Sequence, residues 1–327
     1  MAYVAGETIK DDEYNVFVAS SSSPFGYNHI AGTGSGNQGL GQTELAQVSA
    51  TDSNLVKAAS WNSLLAGIDN IANHTNDSMT ARGQVTAGDP IKIKAALATD
   101  LATLSTSVAG GCTSATALTE SSELRSAASG TRFAGSHVVE HSVTFASGNN
   151  LRFFFNAGGK IRIKLTRTGN GGGSATSKDS SVDELITALG NFDIGAQVST
   201  RSGSGETLQT DGLANGVDDL GTSYTTIAVI RQSNGTYTTM DLKIEGKVDD
   251  ATYGDATKVT IKCSVIDADS GDSEFTDGNT SSVDQFANFI GTTDWGLFTV
   301  NPTTAQGLGS VVDISASAIE SNNDTNG

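Results

Sequence analysis

Hydrophobic residues are most crowded in the stretch LRFFFNAGGKIRIKLTRT, which runs from Leu151 to Thr168. Apolar positions alternate with others from Leu151 to Phe155, the pair Gly158-Gly159 follows, and apolar residues alternate with Arg and Lys from Ile161 onwards. An alternation of period two is typical of a β-strand, and a Gly-Gly pair supplies the positive φ angles of a tight turn. The pattern predicts a β-hairpin over Leu151–Thr168, whose second strand presents basic residues to solvent or to a partner.

A helical periodicity governs the preceding part of the chain. From about Ala59 to Ala72, apolar residues recur at i, i+3, i+4 and i+7, which predicts an amphipathic helix with one buried stripe. A second helix is expected to open with Asp89 as N-cap and Pro90 at its first position, and its apolar face extends to Val108. The two stripes predict an αα-hairpin, and they are also compatible with copies of the chain meeting around a symmetry axis.

The N-terminal region combines a short helix with a glycine-rich arm. A helix is predicted after a capping-box-like sequence that ends at Asp11. Residues 20–43 are rich in Gly and Ser and lack periodicity, yet they contain aromatic and aliphatic residues that are unusual in a free linker. These residues either attach the arm to its own domain or dock on another subunit. The candidate interface residues are Phe25, Tyr27, Ile30 and, on the first helical stripe, Trp61.

After residue 135 the periodicity becomes that of β-strands. Strands are predicted over 137–147, 222–232, 236–248 and 257–267, and short turns join the last three into an antiparallel meander. A helix that begins at Ser180 or Ser181 interrupts them, and the segments GLFTVNP and SVVDISA are expected to be closing strands. The fold class is therefore expected to be α+β, a helical module followed by a mainly antiparallel β-sandwich.

The same changes in periodicity suggest the domain organisation. We expect an N-terminal arm with a short helix at 1–45 and a helical module at 46–110. A linker poor in large apolar residues follows at 111–135, and a β-sandwich domain with one inserted helix occupies 136–327.

Composition excludes several classes of function. The formal net charge of −17 would repel a phosphate backbone, so no nucleic-acid partner is expected. Two cysteines, Cys112 and Cys263, lie far apart in unlike contexts, which predicts neither a disulfide framework nor a metal site. No signal peptide and no membrane-spanning segment is recognisable, so assembly in a cytoplasm without membrane insertion is expected.

The sequence offers little catalytic chemistry. Its glycine-rich runs lack the spacing of a phosphate-binding loop, and we expect neither enzymatic activity nor a cofactor. His137 and His141 would lie on one face of a strand about 13 Å apart, too far to share a metal ion. The acidic run from Asp267 is a weak calcium candidate through Asp267, Asp269 and Asp272, and a solvated acidic turn explains it better because the order departs from an EF-hand loop.

Five segments carry a resemblance to a known group of proteins. They are AGETIKDDEYNVFV, FGYNHIAGTGSGNQGLGQ, ASWNSLLAGIDNIANH, SVTFASGNNLRFFFNAGGKIRIK and VDELITALG. In this order they resemble virion structural proteins of tailed phages, particularly phages of marine and freshwater cyanobacteria. The match is strongest around FFFNAGGKIRI and SWNSLLAGI, and the acidic stretches at 249–255 and 267–277 are longer than in that group. These segments are packing and turn signatures, so the resemblance indicates membership without indicating a catalytic residue.

The resemblance implies a non-enzymatic component of the virion that is assembled in the host cytoplasm. It would be associated with the tail, neck or baseplate as a fibre or appendage, anchored to the particle by its N-terminal part. Other virion proteins are the expected partners, and a trimeric or hexameric homo-oligomer would suit a particle built by symmetric repetition.

Two alternative functions stay open. The β domain could be a receptor-binding module that contacts a host surface glycan or protein through exposed aromatic residues, or the chain could be a capsid decoration protein. The candidate aromatic residues are Tyr224, Tyr237, Tyr253 and Trp295, and ordinary packing explains them as well.

Overall fold

A computed structural model describes residues 11–34, 38–48, 56–87, 94–112, 115, 118–129, 132–133, 136–169, 177–196, 199–211, 216–233, 238–252, 255–267, 289–302 and 314–324. The chain divides into two compact units, and each is assembled from three separate stretches. Unit 1 comprises Met1–Thr119, Asn149–Gly159 and Asn301–Asp313, and unit 2 comprises Glu120–Gly148, Lys160–Val300 and Ile314–Gly327.

The described helices belong mostly to unit 1. They are α1 (Asp11–Val18), α2 (Tyr27–Ala31), α3 (Ala58–Thr75), α4 (Lys94–Ala109) and α5 (Gly148–Asn156), and a sixth helix, α6 (Ser177–Leu189), belongs to unit 2. Helices α1, α3 and α4 confirm the predicted helices, although the predicted start of α4 at Asp89 and Pro90 lies outside the described residues. Helix α2 was not predicted within the glycine-rich arm.

Helices α3 and α4 pack against each other and form the centre of the unit 1 core. The predicted apolar stripes are the buried faces of both helices, because an amphipathic helix removes its apolar side from water by packing that side on a neighbour. The stripe residues that are at most 6% exposed are Trp61, Leu64, Leu65, Ile68, Ile71, Ala72, Leu97, Leu101, Leu104 and Val108.

Unit 2 is built from antiparallel strands. In chain order these are β1 (Leu118–Glu120), β2 (Arg125–Ala128), β3 (Arg132–Phe133), β4 (Ser136–Phe145), β5 (Lys160–Thr168), β6 (Asn191–Ile194), β7 (Ser199–Arg201), β8 (Thr207–Asp211), β9 (Thr225–Arg231), β10 (Met240–Val248), β11 (Lys258–Asp267), β12 (Phe289–Ile290), β13 (Thr292–Pro302) and β14 (Ile314–Asp324). One sheet has the order β1-β13-β5-β6-β7 with β2 paired to β13, a second has the order β14-β4-β11-β10-β9-β8, and β12 pairs with β3.

The two large sheets form a sandwich-like arrangement, which confirms the predicted α+β fold class. Strands β9, β10 and β11 are the predicted antiparallel meander. Strand β4 extends the sheet beside β11, in a register that pairs Cys263 with Val139. Helix α6 contacts β5, β9 and β10, and its side chains Val182, Leu185 and Leu189 are fully buried.

The predicted hairpin over Leu151–Thr168 is wrong in its first half. Residues up to Asn156 form helix α5, and its end is a Schellman motif in which Gly158 N–H donates to Phe155 O and Gly159 N–H donates to Phe154 O. Gly158 adopts φ +86°, so the Gly-Gly pair ends a helix instead of turning a hairpin. Strand β5 is real, but it pairs with β13 and β6, which are distant in sequence.

The units also differ from the predicted domains. The change from helical to β structure does fall within the predicted linker at 111–135, but this region contains the short strands β1, β2 and β3. Two stretches of the predicted β domain at 136–327, Asn149–Gly159 and Asn301–Asp313, belong to unit 1 instead. The last strand, β14, begins later and extends further than the predicted strand SVVDISA.

Candidate functional site

The predicted interface residues lie within or against the core of unit 1. Tyr27, Ile30 and Trp61 are 5%, 0% and 2% exposed, and Phe25 packs partly against the same core. The ring of Tyr27 lies so close to α3 that a Cβ at Gly67 would come within 2.6 Å of it, which explains a glycine inside this helix. This placement favours attachment of the arm to its own domain, and a contact of these residues with another subunit stays a prediction.

The stretch Asn149–Gly159 is held in unit 1 by polar contacts to its backbone and side chains. We call this stretch, which contains most of α5 and the Schellman turn, the inserted segment. Arg152 donates to Thr33 O over 3.1 Å, and Asn156 Nδ2 donates to the carbonyl oxygens of Gln38 and, over 2.8 Å, Gly39. These bonds join the inserted segment to the glycine-rich arm.

Two further side chains hold the end of the inserted segment. His74 Nε2 donates to Ala157 O over 2.6 Å, and Cys112 Sγ lies 2.9 Å from Asn156 O, to which its thiol donates. Burial lowers the pKa of His74, against the opposing effect of its bond to Ala157, so the imidazole is held neutral. Burial raises the pKa of Cys112 to about 12, so its thiol is a poor nucleophile at neutral pH.

The histidines of β4 join the two sheets of unit 2. His137 Nδ1 is 2.9 Å from Thr293 Oγ1, and His141 Nε2 donates to Trp295 O over 2.9 Å. Both imidazoles are fully buried on one face of β4, as the strand pattern predicted. Burial lowers the pKa of His141, whereas its bond to Trp295 and the charge of Asp294 raise it. These contacts are typical of histidines that hold a fold together.

An ion-pair cluster covers the outer side of β5. Arg162 forms a bidentate pair with Asp193 over 2.6 and 2.8 Å and also contacts Glu120, which accepts from Lys164 over 2.6 Å. Hydrogen bonds from Lys164 and Arg162 lower the pKa of Glu120. The basic residues predicted to face solvent or a partner therefore find acidic partners within unit 2.

A second cluster lies on the outer side of β10 and β11. It consists of Tyr224, Lys243, Glu245, Lys247 and Lys262, and we call it the Tyr224 face. The ammonium groups of Lys247 and Lys262 each lie 4.3 Å from the centroid of the Tyr224 ring. Glu245 is paired with Lys243 over 2.8 Å and with Lys262 over 2.7 Å. Burial raises the pKa of Glu245, but hydrogen bonds from the two lysines outweigh it and lower that pKa overall.

Sequence reasoning missed this face, although a signal for it was present. Asp241, Lys243, Glu245 and Lys247 occupy every second position of β10, so period-two alternation places all four on one side of the strand. Tyr224 was predicted only as an exposed aromatic candidate, and its contact with the two lysines could not be predicted because it depends on how the chain enters β9.

The other predicted site residues fall into three groups. Asp267 is 8% exposed at the end of β11, whereas Asp269 and Asp272 lie outside the described residues, so the calcium prediction stays a prediction. Trp295 is fully buried between the sheets, which contradicts its proposed role as an exposed receptor contact. Tyr237 and Tyr253 also lie outside the described residues, and Tyr224 is partly exposed.

The described part of the chain contains neither a cluster of metal-binding side chains nor a helix suited to cross a membrane. No group of three or more His, Cys, Asp or Glu side chains there is placed to hold a metal ion. Among the helices described above, none combines the length and the apolar character that a membrane crossing requires. Comparison with known proteins finds no matching family model, no matching curated protein and no matching solved structure.

Proposed function

We propose that this chain is a non-enzymatic structural component of a tailed-phage virion, associated with the tail, neck or baseplate. Five segments distributed over most of the chain resemble such proteins. The proposal includes assembly in the host cytoplasm and an N-terminal part, residues 1–110 of unit 1, that anchors the chain to the particle.

One structural observation carries the proposal. The backbone passes from one unit to the other near residues 119, 148, 159, 300 and 313, so several stretches of covalent chain join the units. Each unit is thus built from stretches that are distant in sequence, an arrangement that suits a protein that must keep its fold within a particle.

The buried polar groups are consistent with this role. In unit 1, His74, Cys112 and Asn156 all contact the backbone of a distant segment, and in unit 2 His141 does the same. Side chains used in this way fix tertiary structure, since each bond satisfies a buried carbonyl that would otherwise lose its contact with water.

The experiment that tests the proposal is a reconstruction of intact particles by cryo-electron microscopy, with the chain traced into the density. We expect copies in threes or sixes at the neck, tail or baseplate, with unit 1 in contact with the particle. Copies distributed over the capsid lattice would instead identify a decoration protein. If the chain is absent from purified particles, the proposal is wrong.

A further inference from the structure

The Tyr224 face is a basic surface on an acidic chain. The chain as a whole carries 19 Lys and Arg against 36 Asp and Glu. On the outer side of β10 and β11, by contrast, the Tyr224 face holds three lysines and one carboxylate, that of Glu245, which is paired with Lys243 and Lys262. None of the described carboxylates lies within ion-pair distance of Lys247. The face therefore offers positive charge that its own acidic residues do not neutralise.

Charged residues at the neighbouring strand positions do not change the excess of positive charge on the Tyr224 face. Lys258 lies four residues before Lys262 and hence on the same side of β11, whereas Glu140 of β4 is opposite Lys262 in the register. At the other end of the face, Asp241 is paired with Arg231 over 2.7 Å. The added charges cancel, so basic side chains still outnumber carboxylates among these described strand positions.

The Tyr224 ring gives the face a fixed geometry. The ammonium groups of Lys247 and Lys262, each 4.3 Å from the ring centroid, are held there by attraction to its π-electrons. Lysines that are ordered before binding lose less conformational entropy when a partner arrives. The face is thus partly preorganised to receive negative charge.

An acidic surface of complementary charge lies at one end of the same sheet. Val248 N–H donates to Gly221 O over 2.9 Å, which brings the short helix Gly216–Asp219 close to the turn between β10 and β11. Asp249 holds that turn by accepting from Thr257 N over 2.8 Å and Lys258 N over 2.9 Å. The exposed carboxylates at this end, which we call the acidic end, are Asp218, Asp219, Asp249, Asp250 and Asp255.

We propose that the Tyr224 face of one copy of this chain binds the acidic end of a second copy. Each copy carries both surfaces on one unit, so two copies can bind through surfaces of opposite charge. This local attraction offsets the general repulsion between two chains of net charge −17. The proposal rests on the proposed function for its biological setting, because an assembly protein needs contacts between copies.

The test uses the purified full chain and measures its self-association by sedimentation velocity at about 50 mM and about 500 mM salt. We expect association at low salt that weakens at high salt. Lys247→Glu should weaken it at least about tenfold, since the substitution places like charges in contact. The matched control is Lys57→Glu, at the exposed N-cap position of α3 in unit 1, which changes the net charge equally and should leave association unchanged.

A charge exchange separates a lost contact from a misfolded variant. Asp250→Lys with Asp255→Lys reverses charge at the acidic end and should also weaken self-association. A mixture of this variant with Lys247→Glu should associate again, because each carries the charge that the other lacks. A misfolded variant would not be rescued in this way.

Several outcomes would overturn the proposal. They are a wild-type chain that stays monomeric at both salt concentrations, equal effects of Lys247→Glu and Lys57→Glu, and failure of the mixture to associate. Binding of an acidic polysaccharide by a monomeric chain would also overturn it and would assign the face to a different partner. Each outcome is independent of where the protein lies in a particle, so this proposal and the virion proposal can fail separately.

Discussion

Units 1 and 2 use a buried histidine for the same purpose in different surroundings. His74 donates to Ala157 O, 83 residues away, and His141 donates to Trp295 O, 154 residues away. In both imidazoles Nδ1 is buried without a partner among the described residues. Each neutral ring therefore carries its proton on Nε2 and donates it to the carbonyl oxygen. Each histidine closes a long loop of chain with one bond.

The neighbouring contacts decide how strongly the stability of each unit depends on its histidine bond. In unit 2, β11 is flanked by β10 and β4, and each of these strand pairs has nine residue partners in register. In unit 1, the inserted segment depends on the apolar core and on a few side chains that reach its backbone. We infer that the stability of unit 1 is more sensitive to single substitutions. In unit 2, the many hydrogen bonds of a strand pair remain when one contact is lost, whereas the inserted segment of unit 1 has only a few contacts.

The chain contains a natural probe for each unit. Its two tryptophans are Trp61 in unit 1 and Trp295 in unit 2, and both are buried. Fluorescence in a Trp295→Phe background reports the unfolding of unit 1, and a Trp61→Phe background reports that of unit 2. The comparison between the units can therefore be tested within one protein.

The largest expected effect is that of Ile68→Ala in helix α3. Ile68 is fully buried in the core of unit 1, so its loss should reduce the free energy of unfolding of unit 1 by about 2–5 kcal/mol. Denaturant titration followed at Trp61 should show this loss, whereas Trp295 should change by less than about 0.5 kcal/mol. Val16→Ala, at a residue that is 42% exposed on α1, is the control and should change neither probe. Equal shifts at both tryptophans would mean that the units unfold as one.

An intermediate effect is expected when each buried cysteine is replaced by serine. Cys263 lies between Val139 and Ile244 in the registers of β11, so a serine hydroxyl there is buried among aliphatic side chains. Cys263→Ser should destabilise unit 2 by about 1–3 kcal/mol. Cys112→Ser should have a smaller effect on unit 1, because its hydroxyl can donate to Asn156 O as the thiol does. The reverse order in thermal unfolding would contradict this account of the two thiols.

The smallest effect is expected from mild acid, and it should reach both units. The folded pKa values of His74 and His141 are lowered from the ordinary value of 6.5, so the unfolded chain binds protons first as the pH falls. Above about pH 6.5 the two histidines do not reduce the free energy of unfolding. Below that pH the free energy of unfolding falls by at most about 1.4 kcal/mol per pH unit for each histidine. His74→Gln should flatten this decline at Trp61, and His141→Gln should flatten it at Trp295.

Stronger acid should separate the units. In unit 2 the pKa values of Glu120, Glu245 and Asp249 are lowered in the folded state. Their contributions are present above the unfolded pKa values of 4.5 for Glu and 3.8 for Asp and are lost as the pH falls further. Below about pH 4.5 the midpoint followed at Trp295 should therefore fall faster than the histidines explain, and an unchanged slope would contradict the role of these ion pairs.

Patterns with one dominant period were interpreted correctly from the sequence. The stripes of α3 and α4 and the alternation in β9 and β10 lie in elements that bury mainly one side, so the spacing of their apolar residues shows the period of the element directly. The interpretation of LRFFFNAGG failed because Leu151, Phe153 and Phe155 alternate as in a strand, whereas Leu151, Phe154 and Phe155 have helical spacing. With apolar residues at most positions, the pattern did not distinguish the two structures.

The sequence by itself determined the elements that carry their own signal: the amphipathic helices, the meander, the α+β class and the acidic character of the surface. Only the tertiary structure decided which segments belong together. The inserted segment in unit 1, the pairing of β5 with β13 and the bonds of the two histidines join residues far apart in the chain. Such contacts form because burial and hydrogen bonding outweigh the entropy of closing long loops, and no local pattern records which loops will close.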